Sequence, residues 1–519
     1  MKIMAFFMAN SLAFLALLLL LAAAYAQGSD EYLISDWGYT PNTMINKVYI
    51  DDLNADGVNE LIASSRDGVV YDLGKNPKGH LYWQTNLGGD LRAFAVADFD
   101  RDGKKEILAG ADVSKFSLKL MDWQGINKGS TIEFEKRVYA VDAADVDGDG
   151  KMDAVVGASN GGVYVIKSAE TPLWEYISKG PIYYVHASDI DGDGKTEVVA
   201  LSLWSENEDE LAQVFALDKN GKRLWVYDVP GGISPSAPFP VEIVDLNGDG
   251  KREVAVGTKS RGVDVLGSDG GLLWNFQTEK RVGVVYAADL QKTGRPAIVA
   301  GATPYIYALD AGGKQLWKAP VNTTILSIHA SDINSDGRLE ILAGANKYIY
   351  ILSDSGRPIY TWSYRIGSSE TKNVDVRSIY AGDLDGDGGK EVAIGLGWID
   401  NPLDRSYVMG DIRVFKLNTK YVTSPPSTQE KKKDVSTTTS SKPPVKKTTT
   451  TTTQPVEEEV PAQTAVTTNP QEKPQARSTG IILIIAGIGL FLLIIALLIF
   501  FLVLRKKPPK DNLAEISKT

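Results

Sequence analysis

The sequence of 519 residues contains no cysteine, so no disulfide can hold the folded chain together. Basic residues are outnumbered, with 55 Lys and Arg against 65 Asp and Glu and a net charge of −10. No basic cluster occurs in the part predicted to fold, so nucleic acid is not an expected partner. Histidine is rare. His186 and His329 each stand three residues before an acidic loop, and we predict that they pack on inner strands rather than catalyse a reaction.

What the sequence does contain is an acidic stretch, residues 189–197, that recurs along the chain. Each intact copy places side-chain oxygens at positions 1, 3 and 5, a glycine at position 6 and an acid at position 9. Calcium takes about six to eight oxygen ligands, and glycine allows the sharp turn that presents them. Acids this crowded repel one another unless a cation lies between them. Intact copies begin at Asp52, Asp98, Asp145, Asp189, Asp245, Asp332 and Asp383.

We therefore predict calcium ions at about seven sites, with position 7 contributing its backbone carbonyl. For any single loop the alternative is an acidic turn held by side-chain hydrogen bonds. A worn copy begins at Asp289. It keeps Gly294 but has Gln291, Thr293 and Ala297 in place of the other side-chain ligands, so this repeat should fold without an ion. The predicted ligands are Asp52, Asn54, Asp56, Val58, Glu60, Asp98, Asp100, Asp102, Lys104, Glu106, Asp145, Asp147, Asp149, Lys151, Asp153, Asp189, Asp191, Asp193, Lys195, Glu197, Asp245, Asn247, Asp249, Lys251, Glu253, Asp332, Asn334, Asp336, Arg338, Glu340, Asp383, Asp385, Asp387, Gly389 and Glu391.

Each acidic loop lies between two strand-like runs, and two further runs complete the repeat. Four short strands in about 45 residues indicate a β-propeller blade, with a solenoid of the same repeats as the alternative. Several tryptophans stand 15 residues before the next acidic loop, on the predicted last strand of a blade, where we expect them to pack between blades. Trp37 has the same spacing to Asp52, although no repeat precedes it.

At the other end, the repeat that begins at Asp383 has a third strand at 411–417 but no fourth. We therefore predict that residues 32–39 supply the missing strand, which would close the ring and protect its edges. The predicted fold class is all-β, an eight-bladed β-propeller closed by an N-terminal strand, followed by a disordered stalk and one transmembrane helix.

The ends of the chain predict a membrane anchor. Residues 1–26 are typical of a signal peptide, with an uncleaved anchor as the alternative. Residues 480–504 carry no charge, and at about 1.5 Å per residue they are long enough to cross a hydrocarbon core of about 30 Å. The basic residues that follow place the tail, 505–519, in the cytoplasm and the rest of the protein outside the cell membrane. Between residues 27–420, the predicted propeller, and the helix lies a Thr/Pro-rich disordered stalk, 421–479.

Residues 32–417 resemble the FG-GAP and VCBS repeat β-propellers, the family that includes the integrin α-chain head. The match is carried by the Asp-x-Asp-x-Asp-Gly-x-x-Glu loop and the apolar strand after it, such as Ile341-Leu-Ala-Gly-Ala345. The resemblance implies that the loops join the first and second strands of each blade and bind calcium on one face of the ring. The integrin head has seven blades, and this chain has no long inserted domain, so integrin-type ligand binding is not carried over.

Longer connections mark the face away from the acidic loops, at residues 204–211, 230–240, 367–375 and 398–409. We predict that a site for sugar or protein lies there, formed by exposed Trp204 and Trp398 and by residues that start inner strands. The residues that start inner strands are Arg92, Tyr139, Tyr183, Phe239 and Arg377.

The predicted function is that of a calcium-binding, membrane-anchored cell-surface propeller that recognises extracellular polysaccharide or protein in adhesion. The motifs favour a binding protein over an enzyme. One alternative is an extracellular polysaccharide-acting enzyme such as a lyase, which would need a base and a neutralising cation at its groove. Another is a structural subunit of an envelope complex. The fold alone does not choose among these functions.

Overall fold

The computed structural model describes residues 32–421, with gaps at 75–79, 114–117, 129–133, 135, 168–170, 208, 234–239, 261, 364–373 and 402–403. This part of the chain is all-β, with 3₁₀ geometry at Thr419–Tyr421 after the last strand. The predicted signal peptide, residues 422–479 of the predicted stalk, the predicted transmembrane helix and the predicted tail lie outside the described residues. Within those residues we find no helix with the length and apolar character needed to cross a membrane.

The strands form eight antiparallel sheets, which are the blades of a β-propeller. Blade 1 contains β2 (Ile45–Asp51), β3 (Glu60–Ser65), β4 (Val69–Asp72) and β5 (Trp83–Asn86), and blade 2 contains β6 (Ala93–Ala97), β7 (Glu106–Gly110) and β8 (Leu118–Met121). Blade 3 contains β9 (Val138–Ala144), β10 (Asp153–Ala158), β11 (Gly162–Lys167) and β12 (Thr171–Ile177). Blade 4 contains β13 (Ile182–Ser188), β14 (Glu197–Glu206), β15 (Asp209–Leu217) and β16 (Arg223–Asp228). Blade 5 contains β17 (Val241–Val244), β18 (Glu253–Gly257), β19 (Val263–Leu266) and β20 (Leu272–Phe276). Blade 6 contains β21 (Val284–Ala288), β22 (Ala297–Ala302), β23 (Tyr305–Leu309) and β24 (Gln315–Pro320). Blade 7 contains β25 (Ile325–Ser331), β26 (Glu340–Ala345), β27 (Tyr348–Leu352) and β28 (Pro358–Ser363).

Blade 8 closes the ring with both ends of the described chain. Its spatial order is β29 (Val374–Gly382), β30 (Glu391–Asn401), β32 (Ile412–Leu417) and β1 (Leu33–Tyr39), and β31 (Asp404–Met409) pairs with β30. Strand β1 runs antiparallel to β32, with Trp37 opposite Val414. The prediction that an N-terminal strand completes the last blade is confirmed.

The second strand of each blade is covered on both faces, which explains its almost uninterrupted apolar sequence. In β26, for example, all six residues are buried. The apolar core divides into eight clusters, and each lies between two neighbouring blades, including one between blades 8 and 1. Burial of this kind is the main force that holds the blades in a ring.

Tryptophans of the outer strands join one blade to the next. Trp174 donates its Nε1–H to the carbonyl oxygen of Lys219 at 2.8 Å, in the turn between the third and fourth strands of blade 4. Gly221 of that turn has a φ of 77°, and a Cβ there would lie 2.8 Å from the indole. The predicted packing role of these residues is confirmed, because the same bond reaches the following blade from Trp83, Trp225, Trp274 and Trp317.

Candidate metal loops and axial cavity

Every acidic loop joins the first and second strands of its blade, so all of them lie on one face of the ring. In blade 4, Asp189 accepts the backbone N–H of Gly194 at Oδ2, 2.8 Å away, and further N–H groups at Oδ1. Glu197 Oε2 accepts the N–H of Ile190 at 3.0 Å. Gly194 has a φ of 83°, in the left-handed region that glycine adopts without strain. Carboxylates thus fold each loop around its own backbone donors.

In four loops the acids at positions 1, 3 and 9 converge, with carboxylate oxygens within 4.8 Å of one another, and could hold a metal ion. The acid at position 9 is buried in all of them, and Glu106 and Asp153 are fully buried. The predicted ligands at position 5 lie outside these groups, and each accepts the backbone N–H of position 7. The four groups are Asp98, Asp100 and Glu106; Asp145, Asp147 and Asp153; Asp189, Asp191 and Glu197; and Asp383, Asp385 and Glu391.

The other three intact loops have asparagine at position 3. Asn54 accepts the N–H of Asp56 at Oδ1 and donates Nδ2 to Glu60 Oε1 at 2.8 Å. Asn247 and Asn334 donate to the position 9 acid in the same way. For these asparagines to offer an oxygen to a cation beside the glutamate, the carboxamide has to turn over.

The worn loop of blade 6 retains its turn without the acids. Asp289 Oδ2 accepts the N–H of Gly294 at 2.7 Å, and the blade has all four strands. Thr293 Oγ1 accepts the N–H of Arg295 at 3.3 Å, so one aspartate, one glycine and this hydroxyl hold the turn.

The intact loops fit a hard cation in two further respects. Asp98 Oδ1 and Asp332 Oδ1 are buried and have no hydrogen-bond partner among the described residues. A carboxylate oxygen can only accept, so without a donor or a cation its burial is costly. Burial, and then repulsion by neighbouring loop carboxylates, raises the pKa of Glu197, Glu340 and Glu391 to about 7.

Three of the four acid groups already contact a lysine from elsewhere in the same blade. The ammonium bonds to the acid at position 3, and these pairs are Lys128 with Asp100, Lys167 with Asp147 and Lys416 with Asp385. Lys128 also bonds to Glu106 Oε1 at 2.8 Å. In blade 4 the described residues bring no lysine to the converging acids, since Lys195 bonds only to Asp193 at position 5. The blade 4 group is the least neutralised of the four.

A cavity of about 610 Å³ lies among the inner strands. Its lining includes Arg92, Tyr139, Tyr183 and Arg377, which stand at the starts of inner strands and so at the ends opposite the acidic loops. The structure thus brings together four residues that the sequence predicted for a ligand site. It adds Arg66, from the turn between β3 and β4, which the sequence analysis missed.

Comparison of the sequence with known protein families supports a family assignment. The model of the FG-GAP-like repeat matches residues 189–256 and 332–394, which contain the acidic loops of blades 4, 5, 7 and 8. FG-GAP-like repeats within an eight-bladed β-propeller support assignment to the FG-GAP β-propeller family. In an FG-GAP propeller the loops of two faces surround a central axis, an arrangement suited to recognition or binding. No curated protein matches the sequence.

Solved structures agree with the FG-GAP propeller in fold. Sqt1 from Saccharomyces cerevisiae matches with a TM-score of 0.52 and 12% identity, over 74% of this chain and 99% of Sqt1. Sqt1 from Chaetomium thermophilum gives 0.52 and 13%, over 74% and 100%. The V. cholerae biofilm matrix protein Bap1 gives 0.41 and 15%, over 76% and 92%. The agreement in fold rests on the two Sqt1 structures, and at these identities it concerns the fold alone.

Two predictions for the face away from the acidic loops need correction or qualification. The predicted exposure of Trp398 is wrong: it is only 7% exposed, because β30 continues as a hairpin with β31 and turns the indole into the core between blades 7 and 8. Trp204 is half-buried, with Lys179 Nζ 5.3 Å from its ring centroid, and does not line the cavity. Phe239 lies outside the described residues.

Both histidines lie on inner strands. Burial lowers the pKa of His329 to about 4, and its ring stacks on Tyr380 with centroids 4.2 Å apart. His186 Nδ1 lies 3.1 Å from Asp142 Oδ2, and this contact raises its pKa although burial opposes the charge. These contacts support the predicted packing role, and His186 also lines the cavity.

Proposed function

We propose that the chain is a calcium-binding cell-surface propeller, anchored in the membrane, that recognises extracellular polysaccharide or protein. The observation that carries the recognition role is the axial cavity, which places charged and aromatic side chains at the face away from the acidic loops. Concave sites with a few convergent polar groups are where proteins usually bind ligands.

Calcium is proposed because the loops offer oxygen donors only and because two buried carboxylate oxygens have no partner among the described residues. In blade 4 the ion would be held by Asp189, Asp191, Asp193, the Lys195 carbonyl and Glu197. Bound there, calcium supplies positive charge that links the ends of the first and second strands. The proposed complement of about seven ions follows the seven intact loops.

The membrane anchor is proposed from the sequence, with a signal peptide at 1–26, a transmembrane helix at 480–504 and a cytoplasmic tail at 505–519. Protease treatment of intact cells tests it. Loss of the propeller with retention of a short C-terminal fragment in the membrane supports the proposed topology, and full protection of the propeller contradicts it.

The recognition role is tested by exposing the full-length protein, with calcium, to an array of surface glycans and proteins, alongside an activity screen on uronic-acid polymers. Selective binding without turnover supports the proposal. Depolymerised product would instead favour the lyase alternative, and an array without selective binding contradicts recognition.

A further inference from the structure

The axial cavity carries a local surplus of positive charge in an acidic protein. The chain as a whole has a net charge of −10. The charged cavity lining, apart from His186, consists of four basic and two acidic residues: Lys47, Arg66, Arg92, Arg377, Asp90 and Asp142. Positive charge gathered in a concave site attracts anions and concentrates them there.

Some of this charge is already compensated inside the cavity. Arg92 Nε donates to Asp90 Oδ2 at 3.2 Å. Asp90 also accepts the Nδ2–H of Asn46 at 2.7 Å, which holds the carboxylate in place. Lys47 Nζ donates to the carbonyl oxygen of Phe94 at 3.2 Å. These contacts fix Arg92 and Lys47 as parts of the cavity wall.

Arg66 is not compensated in this way, and Arg377 is compensated only in part. Arg66 is exposed, and no hydrogen bond or ion pair joins its guanidinium to the described residues. Arg377 Nε is buried without a partner in the same part of the chain, and the Asp375 oxygen lies 4.0 Å from its Nη1. Burial lowers the pKa of Arg377, the charges of Asp375 and Asp90 oppose this shift, and repulsion by Arg66 and Arg92 adds to it. An anion placed between Arg66 and Arg377 would satisfy the free donors and relieve the repulsion.

Aromatic side chains line the cavity beside these arginines. The rings of Tyr139 and Tyr183 stack with centroids 5.0 Å apart and an interplanar angle of 26°. The Arg92 guanidinium carbon lies 5.2 Å from the Tyr139 centroid and holds that ring from one side. Because Tyr183 and Arg92 both pack on the Tyr139 ring, Tyr139 offers its ring edge and hydroxyl, and Tyr183 offers its other ring face and hydroxyl. A sugar ring has matching features, with apolar C–H faces and hydroxyls around its edge.

We infer that the cavity binds a carboxylate-bearing saccharide, with its carboxylate on Arg66 and Arg377 and a sugar ring against Tyr139 and Tyr183. Guanidinium groups bind carboxylates through paired N–H donors, which a neutral sugar cannot use in the same way. The volume of about 610 Å³ falls within the range of about 300–1,000 Å³ usual for ligand pockets. The inference rests on the proposed recognition role and names the class of ligand.

The test is calorimetric titration of the full chain, in calcium, with trigalacturonate and with its fully methyl-esterified form, which keeps the sugar rings and removes the charge. We expect trigalacturonate to bind at least tenfold more tightly than the ester. Arg66→Gln and Arg377→Gln should each weaken trigalacturonate binding at least tenfold. Arg357→Gln, an exposed arginine in the turn after β27, should leave it unchanged.

The outcomes separate this inference from the proposed function. Equal affinity for acid and ester, or no loss in Arg66→Gln, overturns carboxylate recognition and leaves saccharide recognition standing. A hexaglutamate peptide that binds through the same arginines, while trigalacturonate does not, overturns the saccharide assignment. Absence of trigalacturonate binding overturns this inference, whereas the proposed function is judged by the array. If Arg377→Gln fails to fold, the ester comparison and Arg66→Gln still decide.

Discussion

The acidic loops and the lining of the axial cavity, at opposite faces of the ring, carry opposite surplus charges, and they differ in how much of that charge the protein neutralises itself. On the face with the acidic loops, lysines contact the acid groups of blades 2, 3 and 8 but not that of blade 4. On the other face Arg92 is paired with Asp90, but Arg66 has no partner among the described residues. The difference supports the proposed placement of a cation at blade 4 and of an anion in the cavity.

Removal of calcium should have the largest effect, because it acts on all acidic loops at once. Each filled site contributes about 1.4 kcal/mol at a tenfold excess of calcium over its dissociation constant. Addition of a chelator should therefore lower the melting temperature markedly in scanning calorimetry. Calcium should restore it, and magnesium at the same concentration should not. An unchanged melting temperature would show that the acidic face needs no cation.

Loss of acids in blade 4 should be the next largest effect. The double variant Asp191→Ala, Asp193→Ala should lose the most tightly bound calcium ion, because no lysine neutralises this group among the described residues. The matched variant is Asp100→Ala, Asp102→Ala in blade 2, where Lys128 already contacts the acids. It should lose only a weaker site in calorimetric calcium titration. Wild-type stoichiometry and affinity in the blade 4 variant would contradict the assignment.

Removal of a lysine should strengthen calcium binding in blade 2, whereas the acid variants weaken binding. Lys128→Met takes away the ammonium that bonds to Asp100 and Glu106. The blade 2 loop should then bind calcium about tenfold more tightly in the same titration, approaching blade 4. Lys314→Met, on an exposed turn of blade 6, is the control and should change nothing. Unchanged affinity in Lys128→Met would mean that the lysine does not compete with the ion.

A change of pH should give the smallest effect and should separate the two faces. The pKa of Glu197 is raised to about 7 in the folded protein, above its value of about 4.5 in the unfolded chain. Without calcium, the folded state loses stability as pH rises from about 4.5 to about 7, because it must release a proton that it holds more tightly than the unfolded chain does. Calcium opposes this loss.

Stabilisation by calcium, measured as the shift in melting temperature, should therefore be greater at pH 8 than at pH 6, and Glu197→Gln should reduce this difference. Binding of trigalacturonate should persist at pH 6, because arginine keeps its charge there. A calcium effect that is independent of pH would contradict proton competition at Glu197.

Much of the ring could be predicted from the sequence, because its determinants are local and repeated. The spacing of Trp37 to the first acidic loop was enough to pair the N-terminal strand with the strand around Val414. The glycine at position 6 of each acidic loop likewise predicted a turn from local sequence, because this position has a positive φ. These signals depend on residues close together in the chain.

The remaining features depend on contacts between distant residues. Glu106 begins β7 and Lys128 follows β8, so no short spacing in the sequence predicts their contact. Trp398 looked exposed because the sequence does not show that β30 and β31 extend the blade as a hairpin. Arg66 was missed because it comes from the turn between the second and third strands of blade 1 rather than from an inner strand, and only closure of the ring brings it to the cavity.

The pairing of β32 on both edges has a mechanical consequence. Although β32 is the last strand in the sequence, it is hydrogen-bonded to β30 on one side and to β1 on the other. With the proposed tether at the C-terminal side, a pull from a bound surface would act along this strand. The hydrogen bonds to β30 and those to β1 would then bear the load in shear at the same time. Detachment of β32 would require both rows to break together, whereas an edge strand is held by one row.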